Sequence, residues 1–326
     1  MALPPTTPAG VRDYSPEHSA AFYRLEAELM RTFEQAGYRR VLTPAFELAH
    51  VFERGLGPGE ASRLFRLVDP QNGDVLALRS DITPQIARLI AGPLASAPLP
   101  ARLCYFGRVF RLQQHSELRR REVAQAGVEL LGAAGAEADV EVLSLCDAAL
   151  CAAGPGDHRL SVGHMGVLRA AFDGLDEEAS ADLRSLLRRK DQAGVLRAAV
   201  ELGLPEARAN VLGALACLYG EPVAVLERAR ALADDLPGMT PALDRLAEVL
   251  AGLHAQGIAE RVLLDLGEML GFGYYTGIVF HAYLPGVGQA VASGGRYDEL
   301  VRRFGRDLPA AGFAIDEEGL TQARAG

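Results

Sequence analysis

Hydrophobic and polar positions divide the chain into stretches of period near 3.6 and stretches of period two. Phe22, Leu25, Leu29 and Phe33 recur at helical spacing after Ser15 and Pro16, which read as an N-cap and a first-turn proline. Gly37 closes that helix, Tyr38–Leu42 reads as a short strand, and Pro44 stops it. Residues 45 to 60 read as helical with a glycine-punctuated end, GLGPGE. Two short strands follow, Leu64–Val68 and Val75–Leu78, joined by the turn DPQNGD. The second strand runs into LRSDITPQIARLI, a helix with Asp81 at its opening and Thr83 and Pro84 beside it. Asp81 reads either as a helix N-cap or as a carboxylate at a strand end facing a crevice.

The stretch Cys104–Gly132, CYFGRVFRLQQHSELRRREVAQAGVELLG, reads as a β-hairpin with a long positive connection. Alternation places Arg111 and Gln113 on one face of the first strand, and Gln125, Gly127 and Glu129 on one face of the second. The opposite faces carry Phe106, Phe110 and Leu112, then Ala126, Val128 and Leu130, as a core requires. The polar face suits a ligand, or equally a half-solvated hairpin whose arginines keep an edge soluble.

Further on, Ala136 to Ala152 reads as a helix and His158 to His164 as a strand. Residues 166 to 256 are helical throughout, with breaks at Gly174, Gly203, Gly220 and Pro237, and read as an inserted helical module. Strands return at Arg261–Leu266 and Ile278–Tyr283, the second preceded by Gly271, Gly273, Tyr274 and Tyr275. The end of the chain reads as a strand, a Gly294-Gly295 turn, a helix, the strand Ala311–Ile315 and a helical stub. This order predicts an α+β fold around a large antiparallel sheet.

Composition narrows the chemistry. At 326 residues, with 49% hydrophobic and 23% charged positions, the chain has the makeup of a soluble globular protein. A formal net charge of −9 disfavours nucleic acid as a partner of the whole surface. The four cysteines lie in apolar segments without a CxxC pair and read as buried, reduced thiols of a cytoplasmic protein. No run is long enough to span a bilayer. The single lysine, Lys190, falls in the charged run LRSLLRRKDQ and reads as part of a solvated helix face. With no GxxxxGK[ST] loop, no HExxH and no GxSxG, nucleotide-loop, zinc-hydrolase and serine-hydrolase chemistry have no support, and neither a cofactor nor a metal is expected.

Together these pieces resemble the catalytic core of a class II aminoacyl-tRNA synthetase, specifically of the histidyl-tRNA synthetase type. The unit ending at Pro44 is similar to the first motif, a dimer interface; the hairpin to the second; SGGRYDEL and GFAIDEEGL to the third; and GFGYYTGIVF to the histidine-specific segment. The resemblance implies a synthetase-like domain over 1–165 and 257–326, a helical insertion over 166–256, and no anticodon-binding domain. It also implies a histidine site. Asp81, Thr83 and Gln125 would hold the α-amino group, Glu129 and Tyr275 the imidazole with Tyr274 alongside, and Arg111 the carboxylate.

The departures matter as much. Leu270 and Gly319 stand where the synthetases carry arginines, and Gln113 replaces a glutamate. Activation of an amino acid builds negative charge on phosphorus, which those arginines would neutralise. A histidine-sized site without them resembles the regulatory subunit of ATP phosphoribosyltransferase. That likeness implies a non-catalytic protein serving the first step of histidine biosynthesis, partnered by the short catalytic subunit and mediating histidine feedback. It further implies a homodimer within a hetero-oligomer, without tRNA or membrane binding. The alternative is a truncated synthetase-like ligase that adenylates histidine or another small substrate.

Overall fold

The computed structural model describes residues 7–112, 120–267 and 273–325. Helix α1 (Pro16–Gln35) begins as its sequence predicts: the Ser15 hydroxyl accepts from the His18 amide, and proline occupies the first turn. The left-handed Gly37 (φ +86°) then turns the chain into β1 (Arg39–Arg40), shorter than its sequence suggested. Residues 45 to 60, expected to be helical, instead open with β2 (Phe46–Leu48), followed by α2 (Ala49–Gly55) and α3 (Pro58–Ala61). The strand wins there because Phe46, Glu47 and Leu48 pair with Leu78, Ala77 and Leu76, a partner thirty residues downstream. Strands β3 (Arg66–Val68) and β4 (Val75–Leu78) complete a small sheet in the order β2-β4-β3.

Helix α4 (Thr83–Ala91) leads to the hairpin β5 (Ala101–Phe110) and β6 (Glu122–Leu131). After α5 (Ala136–Ala153) and β7 (Arg159–His164) comes the helical stretch. It comprises α6 (Met165–Ala171), α7 (Glu177–Arg188), α8 (Gln192–Glu201), α9 (Glu206–Leu215), β8 (Tyr219–Gly220), α10 (Pro222–Ala233) and α11 (Thr240–Ala255). Strands β9 (Val262–Asp265), β10 (Ile278–Tyr283), β11 (Ala292–Arg296) and β12 (Ala310–Asp316) follow, and α12 (Glu317–Ala325) ends the described chain.

Among the described residues nine strands form the main sheet, in the order β1-β5-β6-β12-β11-β10-β7-β9-β8. It is antiparallel except where β1 meets β5 and β7 meets β9. Strand β6 shows how the sheet separates two cores. Ala126, Val128 and Leu130 face one apolar cluster with α1 and α5. Val123 and Leu131 face a second, with α2 and α4. The first cluster runs without a break into the helices of residues 166 to 256, taking in Leu183, Leu187, Leu212, Leu243 and Leu253.

Four further expectations need correction. Gly294 and Gly295 are not a turn but the middle of β11, paired on both sides. A Cβ at Gly294 would lie 2.5 Å from the Gly312 carbonyl oxygen, and one at Gly295 would lie 2.4 Å from that of Ile278. These glycines answer to their neighbours across the sheet rather than to a bend. The segment after β11 is a 3-10 turn, Val301–Phe304, rather than an α-helix. Lys190 is not a solvated helix position: at φ +57° it ends α7 and places its ammonium 2.6 Å from both oxygens of Asp265. Cys104 and Cys146 are buried, but Cys151 is exposed and Cys217 half-buried; all four are free thiols.

Candidate functional site

The site sits on the second-core face of β6, where β5, β6, β11 and β12 run side by side. Across these strands Leu103, Glu129, Gly312 and Gly295 stand in one row of the register. Glu129 points off this row in a region made roomy by glycine. A Cβ at Gly312 would fall 1.9 Å from Oε2 of Glu129, and a Cβ at Gly127 would fall 2.5 Å from the Tyr105 ring. Each glycine therefore leaves space for a specific neighbour.

Arg79 fixes the other wall. Its buried guanidinium donates to the backbone oxygens of Thr43 (2.8 Å) and Arg108 (2.6 Å), tying the end of β4 to the hairpin. Ser80 and Asp81 follow directly, so this tie sets where Asp81 points. Asp81 does not cap α4. Ile82 holds the cap position without a side-chain bond, and the Asp81 carboxylate accepts from the Thr83 amide only at 3.4 Å. Its other oxygen accepts from the Tyr274 hydroxyl at 2.7 Å. The strand-end reading of Asp81 is the one its geometry favours.

Glu129 is 1% exposed and enclosed by hydroxyls. Thr83 Oγ1 donates to Oε1 at 2.6 Å, Tyr105 donates to Oε1 at 3.4 Å, and Tyr297 donates to Oε2. Burial pushes this carboxyl up to about 8, against the lowering effect of the Thr83 and Tyr297 hydroxyls. Burial likewise raises Tyr105, Tyr274, Tyr275 and Tyr297 above the usual phenol range. The rings of Tyr274, Tyr275 and Tyr297 pack together, with centroids 4.8 to 6.4 Å apart.

All seven residues singled out from the sequence converge here. Asp81, Thr83, Arg111, Gln125, Tyr274 and Tyr275 line a common cavity, and Glu129 lies directly behind Thr83 and Tyr297. Arg111 Nε donates to the Ser80 carbonyl at 2.8 Å. Gln125 Oε1 is buried in the wall without a hydrogen-bond partner among the described residues. The enclosed space is about 20 Å³, the room of a single water. Its walls at Arg111, Gln125, Ser293 and Ala314 also border an adjoining crevice of about 160 Å³.

Tyr105, Tyr297 and Gly312 were not anticipated. Tyr105 lies within β5 and Tyr297 directly follows β11, and only the arrangement of the sheet brings their hydroxyls to Glu129. The departures from the synthetase pattern divide. Leu270, Gln113 and Arg119 lie outside the described residues. Gly319 stands on α12, where a side chain would meet Val291, a wall of the adjoining crevice. No charge can reach the crevice from that position. Of the loop arginines, Arg120 is 3.0 Å from Glu318, which also takes Arg12 and the Tyr14 hydroxyl, and the Arg121 amide bonds the Gly10 carbonyl.

A second polar cluster lies on the opposite side. Asp147 accepts from Arg261 at 3.1 Å and pairs with His158 Nε2 at 2.9 Å, close to Cys151. The guanidinium neutralises the carboxylate, and the cluster ties α5 to β7 and β9.

The fold is that of class II synthetases of the histidyl type: a family model described as histidyl-tRNA synthetase matches residues 10–320. Curated ATP phosphoribosyltransferase regulatory subunits are similar across nearly the whole chain. That of Anaeromyxobacter dehalogenans (strain 2CP-1 / ATCC BAA-258) is 46% identical, covering 97% of this chain and 90% of its own. That of Moorella thermoacetica is 43% identical, covering 99% and 82%. A solved ATP phosphoribosyltransferase regulatory subunit/histidyl-tRNA synthetase from Bacillus halodurans C superposes with a TM-score of 0.88 at 34% identity, covering 99% of this chain and 84% of its own. A histidyl-tRNA synthetase from Nostoc sp. PCC 7120 shares the fold, with a TM-score of 0.82 at 24% identity over 98% of this chain and 75% of its own. The chain belongs to the family of ATP phosphoribosyltransferase regulatory subunits, and its role is that of a subunit rather than of the catalyst.

Proposed function

We propose that this protein binds free histidine in the cavity between β4, β6 and β12, and through it regulates a short catalytic ATP phosphoribosyltransferase subunit. The observation that carries the reading is the buried Gln125 Oε1, without a partner among the described residues, in the wall of the same cavity as Asp81 and Arg111. A zwitterion meets those needs at once: its ammonium goes to Asp81, Gln125 and Thr83, and its carboxylate to Arg111. Glu129, Tyr274 and Tyr275 form the imidazole end. Histidine is larger than the enclosed space, so its entry moves side chains at the mouth shared with the adjoining crevice.

In the assembly, histidine favours the less active of two states by binding it more tightly, and the two sites are thereby linked. The relatives' name supports a catalytic partner and a place in histidine biosynthesis. The exposed Leu42, Phe46, Leu67 and Val68 beside the small sheet support a homodimer within that assembly. Gly319 supports the loss of amino-acid activation, since an arginine is missing from the crevice.

The test is co-purification with the short catalytic subunit, followed by phosphoribosyl transfer to ATP with and without histidine. Co-elution, a rate that depends on this protein and inhibition by histidine are expected. Failure to co-elute together with no effect on rate sinks the proposal. Histidine-dependent ATP–pyrophosphate exchange by the protein alone would instead favour an adenylating ligase.

A further inference from the structure

Away from the histidine cavity, the last turns of α5 carry two side chains of metal-ligating type on one face. Asp147 and Cys151 stand four positions apart on the helix and so project side by side. His158, the residue before β7, turns its Nε2 toward them. Nε2 lies 2.9 Å from Oδ1 of Asp147, and the Cys151 sulfur lies 4.0 Å from Oδ2. A carboxylate oxygen, the sulfur and a ring nitrogen all fall within 4.8 Å of one another. Ligand atoms around a tetrahedral zinc ion stand about 3.3–3.6 Å apart, so shifts of about 1 Å close the set.

The cluster is open on one side. Asp147 and His158 are buried, whereas Cys151 is exposed, so a solvated ion meets the thiol first and the two fixed ligands behind it. Arg261 already marks the place of a positive charge. Its Nη1 stands 3.2 and 3.1 Å from the two Asp147 oxygens, and a third of its side chain faces solvent. A long side chain beside open water can leave the carboxylate and keep its own charge solvated.

We propose that Asp147, Cys151 and His158 form a binding site for a thiophilic divalent cation of the zinc class, which displaces the Arg261 guanidinium and staples α5 to β7. Sulfur and imidazole donors select zinc or cobalt over magnesium and calcium, which take oxygen ligands. The thiol gives its proton to solvent on binding. Thiolate and carboxylate then balance the two charges of the ion, which removes the reason for the guanidinium to stay. Water completes the fourth position on the exposed side. The three residues match no standard metal motif in sequence, and only the packing of α5 against the start of β7 brings them together. This site stands apart from the histidine reading and does not depend on it.

The full chain, treated with chelator and titrated with Co²⁺ and then Zn²⁺, tests this in wild type, Cys151→Ser, His158→Ala and Arg261→Gln. Wild type should take up one Co²⁺ with a thiolate-to-cobalt charge-transfer band in the near ultraviolet, and Zn²⁺ should bleach it. Cys151→Ser should lose the band and bind Zn²⁺ about tenfold or more weakly. His158→Ala should weaken both ions to a similar degree. Should that buried variant fail to fold, the serine variant at the exposed position carries the reading. Arg261→Gln should bind Zn²⁺ about threefold or more tightly, because the ion no longer competes with a guanidinium. A cluster that serves only as an ion pair gives no thiolate band in wild type, and that result overturns the proposal. A band that survives Cys151→Ser, or an Arg261→Gln chain that binds no more tightly than wild type, overturns it as well.

Discussion

Gly312 lies opposite Glu129 in the β6–β12 register, and a single added carbon there would stand 1.9 Å from the carboxylate. The absence of a side chain on one strand thus fixes the place of a carboxyl group on the next. Gly312→Ala forces Glu129 off its hydroxyl partners. Histidine affinity is expected to fall by about tenfold or more, the worth of at least one hydrogen bond to a charged group. Calorimetry reads the loss, and near-wild-type binding in a folded variant would contradict the placement.

Proton release should accompany binding. Burial holds the Glu129 carboxyl at about 8, so near pH 7 the empty site is largely protonated. The groups around it are Thr83, Tyr105 and Tyr297, with Asp81 and Arg111 in the adjacent wall. The ammonium and the ring N–H of a zwitterionic histidine favour the ionised form. Binding at pH 7 is therefore expected to expel close to one proton, and this release should fade as pH rises past 8. Calorimetry in buffers of different ionisation enthalpy measures it. Glu129→Gln should abolish the release.

Glu317 offers a stability experiment apart from the site. It is fully buried, neither carboxyl oxygen has a hydrogen-bond partner among the described residues, and burial beside Glu26 and Asp316 pushes it up to about 9. A carboxyl raised on folding contributes fully below its unfolded value near 4.5, and that contribution is lost as pH climbs through 9. Glu317→Leu should gain about 1–3 kcal/mol at pH 8 to 9, the cost of an unpaired buried polar group, and less at pH 5. Urea unfolding at both pH values checks the sign.

Lys190 supplies a fourth test. Its ion pair with Asp265 joins the end of α7 to β9 across 75 positions of sequence. Lys190→Met keeps the left-handed backbone and removes the charge, with an expected loss of about 1–3 kcal/mol. A double-mutant cycle with Asp265→Asn isolates the pair. An interaction energy near zero would show that the bridge adds nothing.

Legibility in the sequence followed the range of the forces involved. The two-faced hairpin was readable because alternation is local: Ala126, Val128 and Leu130 against Gln125 and Glu129 state both faces within six residues. The α1 boundaries were readable from Ser15, Pro16 and Gly37 for the same reason. The Gly294-Gly295 pair was misread as a turn because its requirement comes from Gly312, Phe313 and Ile278 on adjacent strands, which one-dimensional pattern does not display. Lys190 looked solvated because its neighbours in sequence are charged, while its partner is remote. Tyr105 and Tyr297 lacked any local mark of function; the arrangement of the sheet alone makes them partners of Glu129. Arg111, Gln125 and Asp81 entered by resemblance to a known family, since on pattern alone each had an ordinary structural reading.

The unbroken apolar cluster that carries β6, α5 and the helices of residues 166 to 256 has a consequence for how the molecule comes apart. Leu183, Leu212 and Leu243 have no separate interior to retreat into when the sheet opens. Melting of the sheet and of those helices is therefore a single cooperative event rather than two, and a calorimetric scan should trace one peak whose van't Hoff and calorimetric enthalpies agree.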